Sequence, residues 1–146
     1  VTNVSIRVRF EAGHRLPQLP GKCHNLHGHS WQGWITVAGT MNDQDVVVDF
    51  GELKAALQRW VDQNLDHGML LGAEDEWAAR LVDGGLKVFR FGEHRLARDL
   101  SWPTVEAVAE LLSRVAAEIV GGYTTPLRVA RVVVQETENN RAEVAP

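Results

Sequence analysis

The chain is predicted to fold as an α+β domain, an antiparallel four-stranded sheet carrying two helices on one face. The order is strand, strand, helix, helix, strand, strand. Three observations predict it. Apolar residues alternate with polar ones at Val4 to Phe10, and Leu127 to Thr137 is a valine-rich stretch near the other end. Two central stretches instead repeat apolar residues at intervals of three and four. The sequence has 146 residues, 45% of them hydrophobic and 23% charged, which suits one domain over 1–146 with a sizeable core.

The first strand is set by Val4, Ile6, Val8 and Phe10 alternating with Ser5, Arg7, Arg9 and Glu11. Extended past Phe10, its parity places His14 on the apolar face. Residues 15–26 hold two prolines and a Gly-Lys pair and read as a loop. A second strand runs from His27 to about Gly39. His27, His29, Trp31, Ile35 and Val37 share one face, with Gln32, Trp34 and Thr36 on the other. Antiparallel pairing of these strands brings His14 beside His27 and His29. Asn42-Asp43 marks a turn and Val46-Val47-Val48 a short extended run. Leu53, Ala56, Leu57, Trp60, Val61 and Leu65 form the stripe of a helix ending near Asp66. Over 66–102 the pattern is weak: a helical turn at Glu74 to Leu81, a break at Gly84-Gly85, then a strand or ordered loop at Leu86 to Phe91. Pro103-Thr104 opens the second strong helix, striped by Val105, Val108, Leu112, Val115 and Ile119 and ended by Gly121-Gly122. Leu127 to Thr137 is a valine-rich strand, and Asn139-Asn140 turns into a short last strand at Ala142 to Val144.

Several function classes are disfavoured. The net charge of −4 gives no general attraction for nucleic acid. No apolar run approaches the roughly 18 residues of a membrane span. The single cysteine, Cys23, excludes an intramolecular disulfide, and no basic-then-apolar leader opens the sequence, so the protein reads as cytoplasmic. A four-stranded open sheet leaves two free edges, which predicts a homo-oligomer.

The chemistry concentrates at a few positions. His14, His27 and His29 fall on one face of paired strands, giving three imidazoles with an open fourth position. That donor set is typical of a catalytic zinc, and neutral imidazole suits Zn2+ well. His24 breaks the parity and is left in solvent. Cys23 lies between Lys22 and His24, cationic neighbours that activate a thiol; a buried, inert thiol is the plainer alternative. Asp66 beside His67 can fix an imidazole tautomer, or simply cap the first helix. Glu136 shares the parity of Val132 and Val134, so its carboxylate needs a partner: an internal arginine, or a ligand with two adjacent N–H donors. Thr104 and Glu106 are explained as a helix N-cap and a first-turn acid.

Read together, Phe10-Glu11-Ala12-Gly13-His14-Arg15-Leu16-Pro17, Cys23 to His29 as C-x-x-x-H-G-H, Val48-Asp49-Phe50-Gly51-Glu52-Leu53-Lys54, Leu65-Asp66-His67, Pro103-Thr104-Val105-Glu106 and Val134-Gln135-Glu136-Thr137 form a specific, ordered set. The chain resembles the 6-pyruvoyl-tetrahydropterin synthase and 6-carboxy-tetrahydropterin synthase family, of the tunnelling (T-fold) group. The resemblance implies subunits that close a barrel as trimers and stack as a homohexamer. It implies zinc on His14, His27 and His29, a catalytic Cys23 with the pair Asp66 and His67, and a pterin triphosphate substrate. Glu136 would anchor the pterin ring, with Thr104 and Glu106 in the same substrate site. Arg15 and Lys22 are the nearest basic residues for the triphosphate.

The short spacing from the cysteine to H-G-H is similar to the bacterial carboxy-synthase branch. That branch converts 7,8-dihydroneopterin triphosphate to 6-carboxy-5,6,7,8-tetrahydropterin, with loss of acetaldehyde and triphosphate, on the route to 7-deazapurines such as queuosine. Two departures stand out. Residues 73–102 are longer than in compact members and carry Trp77, Phe89, Phe91 and Trp102, and the last hairpin reads Glu138-Asn139-Asn140-Arg141. The alternatives are the pyruvoyl synthase activity, a dihydroneopterin aldolase-like activity, or a pterin- or purine-binding module without catalysis.

Overall fold

The computed structural model describes residues 1–146. Its strands are β1 (Thr2–His14), β2 (His27–Gly39), β3 (Gly68–Gly72), β4 (Val88–Phe91), β5 (Arg128–Gln135) and β6 (Arg141–Val144). Its helices are α1 (Phe50–Asn64), α2 (Glu76–Asp83) and α3 (Val105–Gly121), with a short 3-10 turn at Lys22–His24. All six strands form one sheet in the order β4-β3-β1-β2-β5-β6. The expected antiparallel unit is its centre: β1 pairs β2, β2 pairs β5 and β5 pairs β6, all antiparallel.

The expected four strands and two helices are too few. β3 and β4 extend the sheet beyond β1 in parallel pairing, and α2 is a full helix rather than a turn. β3 escapes pattern reading because Gly-Met-Leu-Leu-Gly is five residues, apolar on both faces, with no alternation. Val46 to Val48 form no strand; the segment is irregular, with Val47 and Val48 buried. Gly121-Gly122 does end α3, but neither glycine adopts a left-handed φ.

The core lies between the sheet and α1 with α3. Ile6, Val8, Phe10, Trp31 and Ile35 meet Leu53, Leu57 and Val61 of α1 and Val108, Leu112 and Val115 of α3. Gly33 makes the approach of α3 possible: a Cβ there would lie 2.9 Å from Leu112. Side chains start each helix. Asp49 accepts the Glu52 N–H, Thr104 the Ala107 N–H and Asp75 the Trp77 N–H. No helix is long and apolar enough to cross a membrane.

One ion pair ties the 73–102 segment to the loop after β1. Arg15 Nε and Nη2 donate to the two carboxylate oxygens of Asp75, each at 2.7 Å. The Asp75 side chain is fully buried and that of Arg15 is 11% exposed. Asp75→Ala leaves this guanidinium buried without a partner and is expected to destabilise the fold by about 3–5 kcal/mol. Urea unfolding reads the loss directly; a change under about 1 kcal/mol, the value of an exposed pair, would contradict it. Burial raises the Asp75 carboxyl, but Arg15 and the Trp77 N–H outweigh it and hold it below its ordinary 3.8. Folding therefore favours the ionised form, so the contribution is complete above that value. It fades as the pH falls through the lower folded value, and wild type and variant converge in acid.

Candidate metal centre and substrate cavity

The β1–β2 register sets His14 opposite His27 and Ala12 opposite His29. The three imidazoles therefore meet on the core face, with ring centroids 4.6, 5.0 and 4.9 Å apart. Trp31 lies against His14 and His29 edge-on, and its indole N–H is held by the Ala12 carbonyl. One ligating atom from each histidine lies within 4.8 Å of the others.

Backbone carbonyls orient two of the rings. His14 Nδ1 is 2.8 Å from the Pro103 oxygen and His27 Nδ1 is 2.7 Å from the Asn25 oxygen. A carbonyl only accepts, so both Nδ1 atoms carry the proton and both Nε2 atoms present lone pairs. His14 Nε2 is buried and has no hydrogen-bond partner. Burial is the main reason the His14 pKa is lowered to about 4; the Pro103 carbonyl opposes it, and His27 and His29 add to it. Burial, with His27 beside it, lowers His29 as well. An orphaned buried lone pair, two pre-oriented rings and neutral imidazoles are what a divalent metal requires, so the residues fit one.

A cavity of about 450 Å³ opens beside this cluster, lined by Lys22, Cys23, His27, His29, Glu136, Thr137, Asn139 and Asn140. An adjoining cavity of about 520 Å³ shares Cys23, Glu136 and the two asparagines and adds Thr104 and Glu106 among its walls. Cys23 is a half-buried free thiol, and its carbonyl is pinned by the Leu16 N–H at 2.8 Å. Glu136 lines both cavities; its Oε2 lies 3.8 Å from His14 Nε2, beyond hydrogen-bond reach, and a neutral His14 forms no ion pair. No arginine pairs with it. Burial chiefly, and Glu106 after it, raise the Glu136 carboxyl, while His27 works the other way. Thr104 does cap α3, yet both it and Glu106 also face the cavity.

Asp66 and His67 lie just past α1. Asp66 Oδ1 accepts the Glu11 N–H at 2.8 Å and Oδ2 is 2.7 Å from His67 Nδ1. The helix-capping alternative for Asp66 thus gives way to a bond across to β1. Burial opposes ionisation of Asp66, but the Glu11 N–H, His67 and Lys87 together bring its carboxyl below the ordinary value. The His67 ring is 79% exposed. It lines a third cavity, of about 420 Å³, with Glu11, Gly28, His29 and Ser30 among its walls. Cys23 and His67 thus line different cavities of one chain, which share only His29. Arg15, expected near the triphosphate, has its guanidinium engaged by Asp75; Lys22 lines the cavity beside the imidazoles, and Arg141 the adjoining one that shares Cys23.

Sequence reasoning missed the Pro103 and Asn25 carbonyls, for which no side-chain signal exists. It also read Asn139-Asn140 only as a turn, although both line the cavity.

Comparison with known proteins gives consistent relatives. The family described as 6-pyruvoyl tetrahydropterin synthase matches residues 3–146. A protein of Aquifex aeolicus (strain VF5) named 6-carboxy-5,6,7,8-tetrahydropterin synthase is 31% identical, covering 96% of this chain and 95% of its own. One of the same name from Rickettsia bellii (strain RML369-C) is 35% identical over 65% of this chain and 71% of its own. Among solved structures, an uncharacterized protein of Wolinella succinogenes superposes with a TM-score of 0.75 at 20% identity, covering 99% and 97% of the two chains. The Caenorhabditis elegans 6-pyruvoyl tetrahydropterin synthase gives 0.68 at 18% identity, covering 99% and 95%. At these identities the structural likeness establishes the fold.

Proposed function

The chain belongs to the 6-pyruvoyl tetrahydropterin synthase family, and from that premise we propose that it is a zinc-dependent pterin lyase. Its substrate is 7,8-dihydroneopterin triphosphate, converted to 6-carboxy-5,6,7,8-tetrahydropterin with release of acetaldehyde and triphosphate. The relatives that carry the carboxy-synthase name support this product over the pyruvoyl one. The observation that carries the reading is the shared cavity: Cys23, His27, His29 and Glu136 line one space beside three converging imidazoles.

His14, His27 and His29 would hold the zinc, which supplies Lewis-acid polarisation of the substrate's side-chain oxygens when bound. Glu136 accepts two N–H bonds from the pterin ring edge and so fixes the side chain against the imidazoles. Thr104 and Glu106 complete the ring's surroundings. Cys23 takes a proton from the side chain as thiolate, and His67, oriented by Asp66, exchanges a proton on its other side. The two groups face different cavities of one chain, and the sheet ends in the unpaired edges of β4 and β6. A homo-oligomer closed through those edges, a homohexamer by family resemblance, is the proposed form in which one chain's His67 serves a second chain's Cys23. Residues 1–146 act as one domain in the cytoplasm, on the 7-deazapurine and queuosine route, with 73–102 as the variable segment.

Incubating the zinc-loaded protein with 7,8-dihydroneopterin triphosphate and analysing the products tests the proposal. The expected products are the 6-carboxy pterin and one acetaldehyde per triphosphate. A 6-pyruvoyl product would favour the pyruvoyl synthase activity, 6-hydroxymethyl-7,8-dihydropterin with glycolaldehyde triphosphate the aldolase-like one, and unchanged substrate a binding module.

A further inference from the structure

We propose that Lys87, in the variable segment, is a positioning residue for the Asp66–His67 pair: its ammonium clamps the peptide that holds His67 in place. The proposal rests on the reading of His67 as a proton-transfer group.

The end of α1 poses the need. A helix leaves its last carbonyls without intrahelical partners, and α1 has no basic residue in its last turn. Lys87 supplies one from elsewhere. Its Nζ donates to the Asp62 and Asp66 carbonyls, both at 2.7 Å. The residue itself is fixed, because its own carbonyl accepts the Met69 N–H where β3 and β4 begin to pair.

The Asp66 carbonyl belongs to the same planar peptide as the His67 N–H. That N–H donates to the Glu11 carbonyl at 2.6 Å. One rigid unit is thus held at its oxygen end by Lys87 and at its nitrogen end by β1. The anchoring matters because His67 has φ 55, a left-handed conformation that non-glycine residues adopt only when their surroundings impose it. The next residue fits the same clamp. A Cβ at Gly68 would lie 3.2 Å from Lys87 Cγ and 3.3 Å from its carbonyl oxygen. Lys87 therefore packs on the chain immediately after His67, and the peptide that directs the imidazole is held at both ends. Released from Lys87, this peptide can rotate, carrying the Asp66 carboxylate and the His67 ring out of register with the reacting atoms.

Lys87→Met keeps the aliphatic stem and removes the ammonium. With 7,8-dihydroneopterin triphosphate as substrate, kcat is expected to fall roughly tenfold to a hundredfold, the scale of a small misplacement of a reacting group. KM should stay within about twofold, because the Cys23–Glu136 cavity is untouched. Lys87→Arg, which can still donate to both carbonyls, should recover most of kcat. A crystal structure of the Met variant should show His67 out of its left-handed conformation and the Asp66–His67 bond broken. Should Met fail to fold, Lys87→Gln, with one neutral donor, undergoes the same measurements. A variant with His67 and its bond to Asp66 unmoved, or with KM and kcat changed in step, overturns the proposal. A displaced His67 with undiminished kcat instead rejects the proton-transfer reading of His67 on which the proposal rests.

Discussion

Cys23→Ala is expected to keep its metal and lose turnover by about 10²–10⁴-fold, the usual contribution of a positioned acid or base. The thiol stands in the wall of the cavity beside His27 and His29, and in the proposed site the three imidazoles would already supply a complete set of protein donors. Removing the sulfur empties a small volume at a half-buried position, so the fold should be little affected. Metal content and steady-state turnover of the purified variant decide the matter. If most of the wild-type activity remains, Cys23 is a bystander and the base is another group, with His67 next to be tested.

Glu136→Gln is expected to weaken pterin binding without unfolding the protein. In the proposed site the carboxylate would accept two N–H bonds from the ring edge, whereas an amide would set its own donor against one of them. An unpaired N–H in a buried pocket costs on the order of 1–3 kcal/mol, or roughly tenfold to a hundredfold in affinity. A role in holding β5 would need an internal cation, and no arginine reaches the side chain; its nearest charged-type contact is the neutral His14, 3.8 Å away. Titrating a pterin against both proteins, with thermal melts alongside, separates the roles. An unchanged dissociation constant with a lowered melting temperature would reject anchoring.

Much of this site is legible in the sequence because it is written in strand parity. His14 continues the buried alternation of Ile6, Val8 and Phe10, and His27 and His29 that of Trp31, so one antiparallel register brings the three together. Glu136 extends Val132 and Val134 in the same way. The two long helices announce themselves by their stripes and side-chain caps. What parity cannot convey is contact between distant segments with short or fully apolar elements. β3 has too few residues to show a period and goes unread, while β4 falls inside the Leu86 to Phe91 stretch that reads as a strand or ordered loop; the parallel pairing of the two is not visible in the pattern. Asp75 looks like one acid in an acidic stretch, and only the fold shows it buried against Arg15. Lys87 is equally ordinary in sequence, and its place at the end of α1 depends on the same extension. The separation of Cys23 from His67 also lies outside sequence patterns, because it follows from which cavities their strands and loops border.

The proposed chemistry divides the labour: the three imidazoles would hold the metal and the neighbouring thiol would stay free. X-ray absorption at the zinc edge of the zinc-loaded protein tests this most directly. It should show about one metal per chain with three imidazole nitrogens at roughly 2.0–2.1 Å, no sulfur, and loss of the site in His29→Ala. A sulfur shell near about 2.3 Å would make Cys23 a ligand rather than a base and would contradict the account.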